Sequence, residues 1–219
     1  VLIRFAAEAT GTFALVFVAA GSVMLEQVSG GLVTPFGVAL SPGLVVMVVI
    51  YTVGHISGAH INPAVTFGLL IAGEIKTKTA ISYWIMQFAG GILGAAALSF
   101  VLGGSTSGLG ATQFDPTAIS VLQALVLEMI LTFFVVNTIM NTAISGKSGN
   151  LAGLAIGSTL TFCILMGGPI TGASLNPART LGPALLTGNL GQLWVYIVGP
   201  LAGAAIASIF YVNVLKDKP

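Results

Sequence analysis

Six long apolar runs divide the sequence, and each is close to the length that crosses a membrane. They cover about Phe5–Met24, Val33–Val53, Thr79–Leu102, Thr117–Ile139, Leu151–Gly168 and Gln192–Leu215. An α-helix rises about 1.5 Å per residue, so about 20 residues span a hydrocarbon core about 30 Å thick. The sequence lacks the short alternating segments that membrane β-barrels require. It therefore predicts an all-α membrane protein with six transmembrane helices.

Composition agrees with lipid as the solvent and excludes several functions. Of 219 residues, 56% are hydrophobic and 6% are charged, whereas about 25% are charged in soluble domains. A net charge of +1 leaves no basic surface for nucleic acid. One cysteine and two histidines are too few for a metal centre of several thiolates and imidazoles. No nucleophile and base pair or cofactor fingerprint indicates an enzyme, so we expect neither metal nor cofactor.

The basic residues predict the orientation in the membrane, because Lys and Arg are enriched in cytoplasmic loops. Those at span ends or between spans all fall on one side: Arg4, Lys76, Lys78, Lys147, Lys216 and Lys218. The opposite side carries Glu26 and Asp115. We therefore expect a multi-pass protein of the cell membrane with both termini in the cytoplasm.

The sequence also repeats itself. The segment Ser57–Thr66 returns as Thr171–Thr180, with Asn-Pro-Ala in both copies. Further matched pairs are Glu8 with Glu128, and Gln87-x-x-Gly90 with Pro200-x-x-Gly203. Three spans per half give the copies opposite orientations, as in inverted repeats, which place a site near the bilayer midplane. The prediction is a single domain, 1–219, built from repeats of about 1–112 and 113–219.

Each repeated segment predicts a half-helix that enters the membrane without crossing it. Pro63–Ala72 and Pro177–Leu186 are apolar but about half the required length. Asn62 and Asn176 precede a proline, which is the preferred start of a helix. The stretches predicted to be non-helical are His55–Ile61 and Pro169–Leu175. Such backbone is tolerated at membrane depth where it is buried in protein or lines a water-filled path, so the pattern predicts a pore.

These residues resemble the aquaporin, or major intrinsic protein, family along essentially the whole chain. The resemblance rests on Asn62-Pro63-Ala64 and Asn176-Pro177-Ala178, on Arg179 after the second motif, on Gly54–His60 before the first, and on Glu8 and Glu128. It implies an hourglass channel in each subunit and a homotetramer. It also implies passive flow of water or small uncharged solutes, with protons and ions excluded.

Elementary electrostatics gives these residues roles in such a pore. Each half-helix N-terminus carries a partial positive charge, and the Asn62 and Asn176 amides add donors, so cations are repelled. The carbonyls expected to accept hydrogen bonds from permeating molecules belong to Gly58, Ala59, His60, Gly172, Ala173 and Ser174. Arg179 is expected to reject cations at the outer constriction. The alternative for Arg179 is an ion pair inside the helix bundle.

Other intramembrane polar residues are expected to be structural. Glu8 and Glu128 are interpreted as buried acceptors for the non-helical backbone, and a proton relay is the alternative. His60 is expected to line the cytoplasmic half of the pore, and His55 to brace the adjacent loop. Cys163 is interpreted as a small buried apolar residue.

Carried over from the family, the filter positions fall on Pro42, Ile164, Ala173 and Arg179. This set, together with Tyr196-Ile197, is similar to that of nodulin-26-like intrinsic proteins, which implies passage of glycerol, urea or boric, silicic and arsenous acids. Thr180, Ala184 and Pro42 depart from the residues usual in bacterial glycerol facilitators or in the nodulin-26-like group. A mainly water-selective channel is the first alternative. The second is an ion-coupled transporter, which would need a carboxylate at the midplane where Asn62 and Asn176 stand.

Overall fold

The structure is a computed structural model that describes residues 2–104 and 108–216. These residues form eight α-helices: α1 (Leu2–Val28), α2 (Thr34–Ser57), α3 (Pro63–Ile71), α4 (Thr77–Val101), α5 (Val121–Ile139), α6 (Ala152–Thr171), α7 (Pro177–Thr187) and α8 (Val195–Phe210). Single π-helical segments, Met140–Ile144 and Tyr211–Leu215, extend α5 and α8. Lys218, one of the basic residues named above, lies outside the described residues.

The six predicted spans and two half-helices are confirmed. Within the described residues, six helical segments are long and apolar enough to cross a membrane. The fourth span begins at Val121 rather than Thr117, because a capping box between Ser120 and Gln123 fixes its first turn. The sixth begins at Val195 rather than Gln192, and the residues before it form turns.

The non-helical stretches are shorter than predicted. His55–Ser57 and Pro169–Thr171 are helical, since α2 and α6 end only at Ser57 and Thr171. Gly58 and Gly172 then adopt left-handed φ angles of 90° and 81°. Their backbone N–H groups bond back to the last turns of α2 and α6. Glycine takes this conformation without the Cβ penalty that other residues meet, so it sets the true helix ends.

Close packing at glycine joins the helices of each repeat. Helix α1 packs along α4, and α5 packs along α8. A Cβ at Gly90 would overlap the carbonyl of Ala9, and one at Gly203 would overlap that of Met129. The same small residue therefore permits the same close backbone approach in both repeats. Helices α3 and α7 contact each other inside this frame.

Candidate functional site

A cavity of about 370 Å³ lies among α1, α2, α5, α6 and the N-termini of the two half-helices. Its wall includes Asn62, Asn176 and the four residues predicted to form the filter: Pro42, Ile164, Ala173 and Arg179. Aliphatic side chains of the long helices form much of the remaining wall, among them Leu15, Val46, Ile156 and Leu160. The sequence-predicted residues are therefore brought to a single space.

Two segments with strained backbone, Gly58–Ile61 and Gly172–Leu175, contribute polar groups to the wall of this cavity. Ala59, Ile61, Ala173 and Leu175 have φ angles of 50°, 43°, 42° and 54°. Such left-handed angles in residues other than glycine cost roughly 1–3 kcal/mol each and persist only where surrounding contacts fix them. The predicted backbone carbonyls belong to these segments, and Gly58, Ala59, His60, Ala173 and Ser174 line the cavity. Gly172 lies beside them at the end of α6 but is not among the lining residues.

Glu8 fixes the first strained segment. Its carboxylate is fully buried and accepts four hydrogen bonds, two on each oxygen. The donors are the Ser57 hydroxyl at 2.7 Å, the His60 and Ile61 backbone N–H groups at 3.0 and 2.7 Å, and the Gln87 amide at 2.8 Å. All of its strong acceptor positions are thus used within the protein.

Glu128 holds the second segment in the same way but with fewer bonds. Its fully buried carboxylate accepts from the Thr171 hydroxyl at 2.7 Å and from the backbone N–H groups of Ser174 and Leu175 at 3.0 and 2.8 Å. Pro200 stands where the first repeat has Gln87, and its side chain has no donor. Neither carboxylate belongs to the cavity wall.

The two asparagines bond across the centre of the molecule. The Asn62 amide donates to the Leu175 carbonyl at 2.8 Å, and the Asn176 amide donates to the Ile61 carbonyl at 3.0 Å. Each side-chain oxygen also caps its own half-helix, at Ala64 and Ala178. Each amide has a second N–H, which remains available to a molecule in the cavity.

Arg179 is buried at the cavity wall, with 7% of its surface exposed. Its backbone N–H bonds to Asn176, in the first turn of α7. Among the described residues, the guanidinium has no ion-pair partner, and its Nη1 is buried without a hydrogen-bond partner. A charge held this way can be satisfied by molecules that occupy the cavity.

The histidines and the cysteine have different environments. The His60 ring lies at the cavity wall, with Nδ1 3.0 Å from the Thr66 hydroxyl and its edge against the Tyr83 ring. His55 is exposed on α2 and makes no hydrogen bond with the described residues, so its predicted bracing of the loop is wrong. Cys163 is fully buried, with Sγ 3.6 Å from the Leu131 carbonyl.

Sequence reasoning missed a matched pair of tyrosines. The Tyr83 hydroxyl donates to the Ser57 carbonyl at 2.7 Å, and the Tyr196 hydroxyl donates to the Thr171 carbonyl at 2.6 Å. Both thus satisfy the last carbonyl of a helix that enters the centre. The available signal was spacing, since each tyrosine lies four residues before Gln87 or Pro200.

Comparison with known proteins agrees with this geometry. Residues 2–211 match the sequence profile of the family described as Major intrinsic protein. The chain belongs to the major intrinsic protein family. Rice (Oryza sativa subsp. japonica) aquaporin NIP1-2 is 42% identical, covering 97% of this chain and 72% of that protein. Soybean (Glycine max) nodulin-26 is 39% identical, covering 99% and 79%.

A solved structure of the same family is also similar. The aquaglyceroporin from Plasmodium falciparum has a TM-score of 0.85 and 26% sequence identity, covering 99% of this chain and 98% of that one. This major intrinsic protein is therefore an all-helical, multi-pass membrane channel with two re-entrant half-helices. It is a channel and not an enzyme.

Proposed function

We propose that this channel conducts water and small uncharged solutes passively and excludes protons and ions. The observation that carries the solute range is that the proposed filter positions Pro42, Ile164 and Ala173 present aliphatic side chains to the cavity. No Phe, Tyr or Trp is among the described residues that line the cavity. An aromatic side chain at these positions would narrow the opening toward the size of a water molecule.

The chemistry of the wall favours solutes with one polar and one apolar face. Carbonyls, asparagine amides and Arg179 offer hydrogen bonds to a solute, and aliphatic side chains make up much of the remaining wall. A polyol, urea or a metalloid hydroxide can exchange its water for these partners. We propose glycerol, urea and the boric, silicic or arsenous acids as substrates. The name of the similar aquaglyceroporin supports glycerol among them.

Charge exclusion follows from what faces the cavity. Two half-helix N-termini, the Asn62 and Asn176 amides and the Arg179 guanidinium all present positive potential or donors. Glu8 and Glu128 are fully buried and bonded to backbone, so we propose a structural role for both rather than a proton relay. This arrangement disfavours an ion-coupled transporter, which needs a carboxylate open to the pathway.

A mainly water-selective channel is the second candidate. The observation that favours it is Pro42, which lies inside α2 and contributes its rigid ring to the cavity wall. If this ring sets the narrowest opening, water passes and larger solutes do not.

We also propose an assembly and an orientation. The chain is taken as a single channel domain of inverted repeats, about 1–112 and 113–219, in the lipid bilayer of the cell membrane. Six crossings put both ends on one side, and the basic residues at the span ends favour the cytoplasm. A homotetramer of such channels is the proposed assembly, and crosslinking in membranes tests it.

The test of this function is stopped-flow measurement on proteoliposomes. Vesicles with the channel should shrink and reswell in glycerol, urea and boric acid faster than empty vesicles, with no added proton or cation leak under an imposed voltage. Water flux alone would favour the second candidate. Flux coupled to a proton or sodium gradient would contradict a passive channel.

A further inference from the structure

A threonine lies two residues after each Asn-Pro-Ala motif, and a different part of the molecule holds it in each repeat. Thr66 accepts from the Gln87 amide at 2.9 Å and pairs with the His60 ring at 3.0 Å. All three residues lie on elements of the first repeat that enter the membrane. Thr180 is the matching residue of the second repeat, where Pro200 replaces Gln87 and provides no donor.

A residue of the outer loop takes the place of that missing donor. Thr112 lies in the connection between α4 and α5, yet only 4% of it is exposed. Its hydroxyl is 2.6 Å from that of Thr180, which in turn is 2.6 Å from the hydroxyl of Ser174. Thr112 also packs on Gly172, where a Cβ would meet it at 3.0 Å. The loop is therefore in contact with the strained segment of the filter.

The number of protons on the three hydroxyls fixes which of them donates each hydrogen bond. Ser174 donates its single proton to the Asn176 carbonyl at 2.9 Å. Thr180 must then donate to Ser174, and Thr112 to Thr180, because each hydroxyl has one proton. The Asn176 carbonyl also accepts from the backbone N–H of Arg179 at 3.0 Å. The chain thus ends on the helical turn that carries the filter arginine.

The loop is anchored on both sides of Thr112. Leu109 is fully buried against α1, and a Cβ at Gly110 would overlap the carbonyl of Ala20. Beyond Thr112, the backbone of Phe114 makes two hydrogen bonds with the Gln192 side chain, at 3.0 and 2.9 Å. Because the loop is fixed on both sides of Thr112, the Thr112 hydroxyl is held in a defined position.

We infer that Thr112 is a positioning residue for solute selection, acting through Thr180 and Ser174 on the filter backbone and on the turn that carries Arg179. This inference rests on the proposed function of the cavity as the solute pathway. Thr112 is not among the residues that line the cavity, so its effect is indirect. Without its hydroxyl, the segment from Gly172 to Ser174 is held less tightly and discriminates less by solute width.

The test compares T112V with T117V in proteoliposomes. Valine keeps the branched shape of threonine and replaces the hydroxyl with a methyl group. Thr117 lies in the same loop, but its hydroxyl bonds only Asp115 among the described residues, in an exposed position. T112V should raise the permeability ratio of glycerol to urea by about threefold to tenfold, the equivalent of losing one hydrogen bond of about 1 kcal/mol. T117V should leave the ratio unchanged.

Two further variants separate the hydroxyl from packing. T112S keeps the hydroxyl and should have the parent ratio, whereas a methyl-packing role predicts that T112S shifts the ratio and T112V does not. T180V removes the middle of the chain and should shift the ratio in the same direction, which keeps the test open if T112V does not fold. An effect of T112V no larger than that of T117V overturns the inference.

Water measurements in the same vesicles distinguish this inference from the proposed function. A parent channel that passes water but neither glycerol nor urea contradicts the proposed solute range. The activation energy of water flux then decides the role of Thr112. A change in T112V that T112S reverses supports the inference, and identical values in T112V and T117V contradict it.

Discussion

The two repeats build the same central framework from different supporting residues. In each, a buried glutamate holds a strained segment, a tyrosine hydroxyl bonds the last helical carbonyl, and an asparagine bonds across to the other repeat. The residues that complete the framework differ: Val65, His60 and Gln87 in the first repeat, and Arg179, Ser174 and Pro200 in the second. The two repeats thus hold their strained backbone in the same way. They differ in the charge and in the hydrogen-bonding groups that they present to the cavity.

Selectivity can arise where the hydrogen bonding of the two repeats differs. In the first repeat, the Gln87 amide supplies the fourth donor to the Glu8 carboxylate. The second repeat has three such donors, uses the loop between α4 and α5 to hold Thr180, and carries the only arginine among the cavity-lining residues described. The second repeat is therefore the more adjustable half.

The largest effect is expected from removing the buried carboxylates. E8Q places an NH₂ group against two donors whichever way the amide turns. One of them, the Ser57 hydroxyl, can rotate, but backbone N–H groups cannot. Turning the Ser57 hydroxyl leaves one backbone N–H unbonded, at about 1–3 kcal/mol, and costs Ser57 its own hydrogen bond, at about 0.5–1.5 kcal/mol, so E8Q should destabilise by roughly 1.5–4.5 kcal/mol. E128Q can direct its NH₂ at the single donor Leu175 and should cost roughly 1–3 kcal/mol.

Thermal unfolding of the two variants in detergent measures this difference. E8Q should have the lower Tm. Equal losses would show that Gln87 adds nothing to the first repeat. A larger loss of Tm in E128Q would contradict the conclusion that Glu8 makes the stronger set of hydrogen bonds.

The next largest loss of stability is expected at the glycines of the helix crossings, and it should be the same in both repeats. G90A and G203A each force a methyl group into a backbone carbonyl of the neighbouring helix. Overpacking of this kind costs about 1–3 kcal/mol or more. Both variants should lose Tm, whereas G54A, whose nearest contact is 3.7 Å away on its own helix, should not. Unequal losses at Gly90 and Gly203 would break the proposed equivalence of the two helix crossings.

Making the repeats alike at the residue after Asn-Pro-Ala tests the role of charge. R179V gives the second motif the valine that the first has at position 65. Proton and cation leak under voltage should rise by about tenfold, or about 1.4 kcal/mol of barrier, while neutral-solute flux remains. The leak is measured in proteoliposomes, with V65A as the matched control. Unchanged leak in folded R179V would remove Arg179 from the filter.

The smallest effect is expected at an exposed ion pair. Lys216 bonds Glu74 at 3.0 Å and joins the end of α8 to the end of α3. This bond raises the pKa of Lys216 above its usual value of 10.5. The contribution to stability is therefore full below that value and is lost as the pH rises through the raised pKa. E74Q should lower the Tm slightly at low salt and not at high salt, because exposed pairs are weak and screened. A loss that persists at high salt would contradict this.

Much of the fold could be predicted because its signals are local. Apolar runs give the spans, and Asn-Pro at 62–63 and 176–177 marks both half-helix starts. Helix ends were less accurate, because a left-handed glycine at Gly58 or Gly172 decides them and the preceding Pro169 does not end α6. Thr112 had no signal in the sequence, since its partner Thr180 is brought to it only by the folding of the loop between α4 and α5.

The solute-to-water permeability ratio of I164H tests most directly whether aliphatic side chains at the proposed filter admit solutes larger than water. Ile164 is the proposed aliphatic filter position on α6 and lines the cavity, and histidine there replaces an apolar wall by a polar ring. The ratio for glycerol, urea and boric acid should fall by about tenfold or more, in line with the cost of losing an apolar contact and leaving a polar group unmatched, while much of the water flux remains. A folded I164H channel with the full parent ratio would contradict the placement of the solute filter at this position.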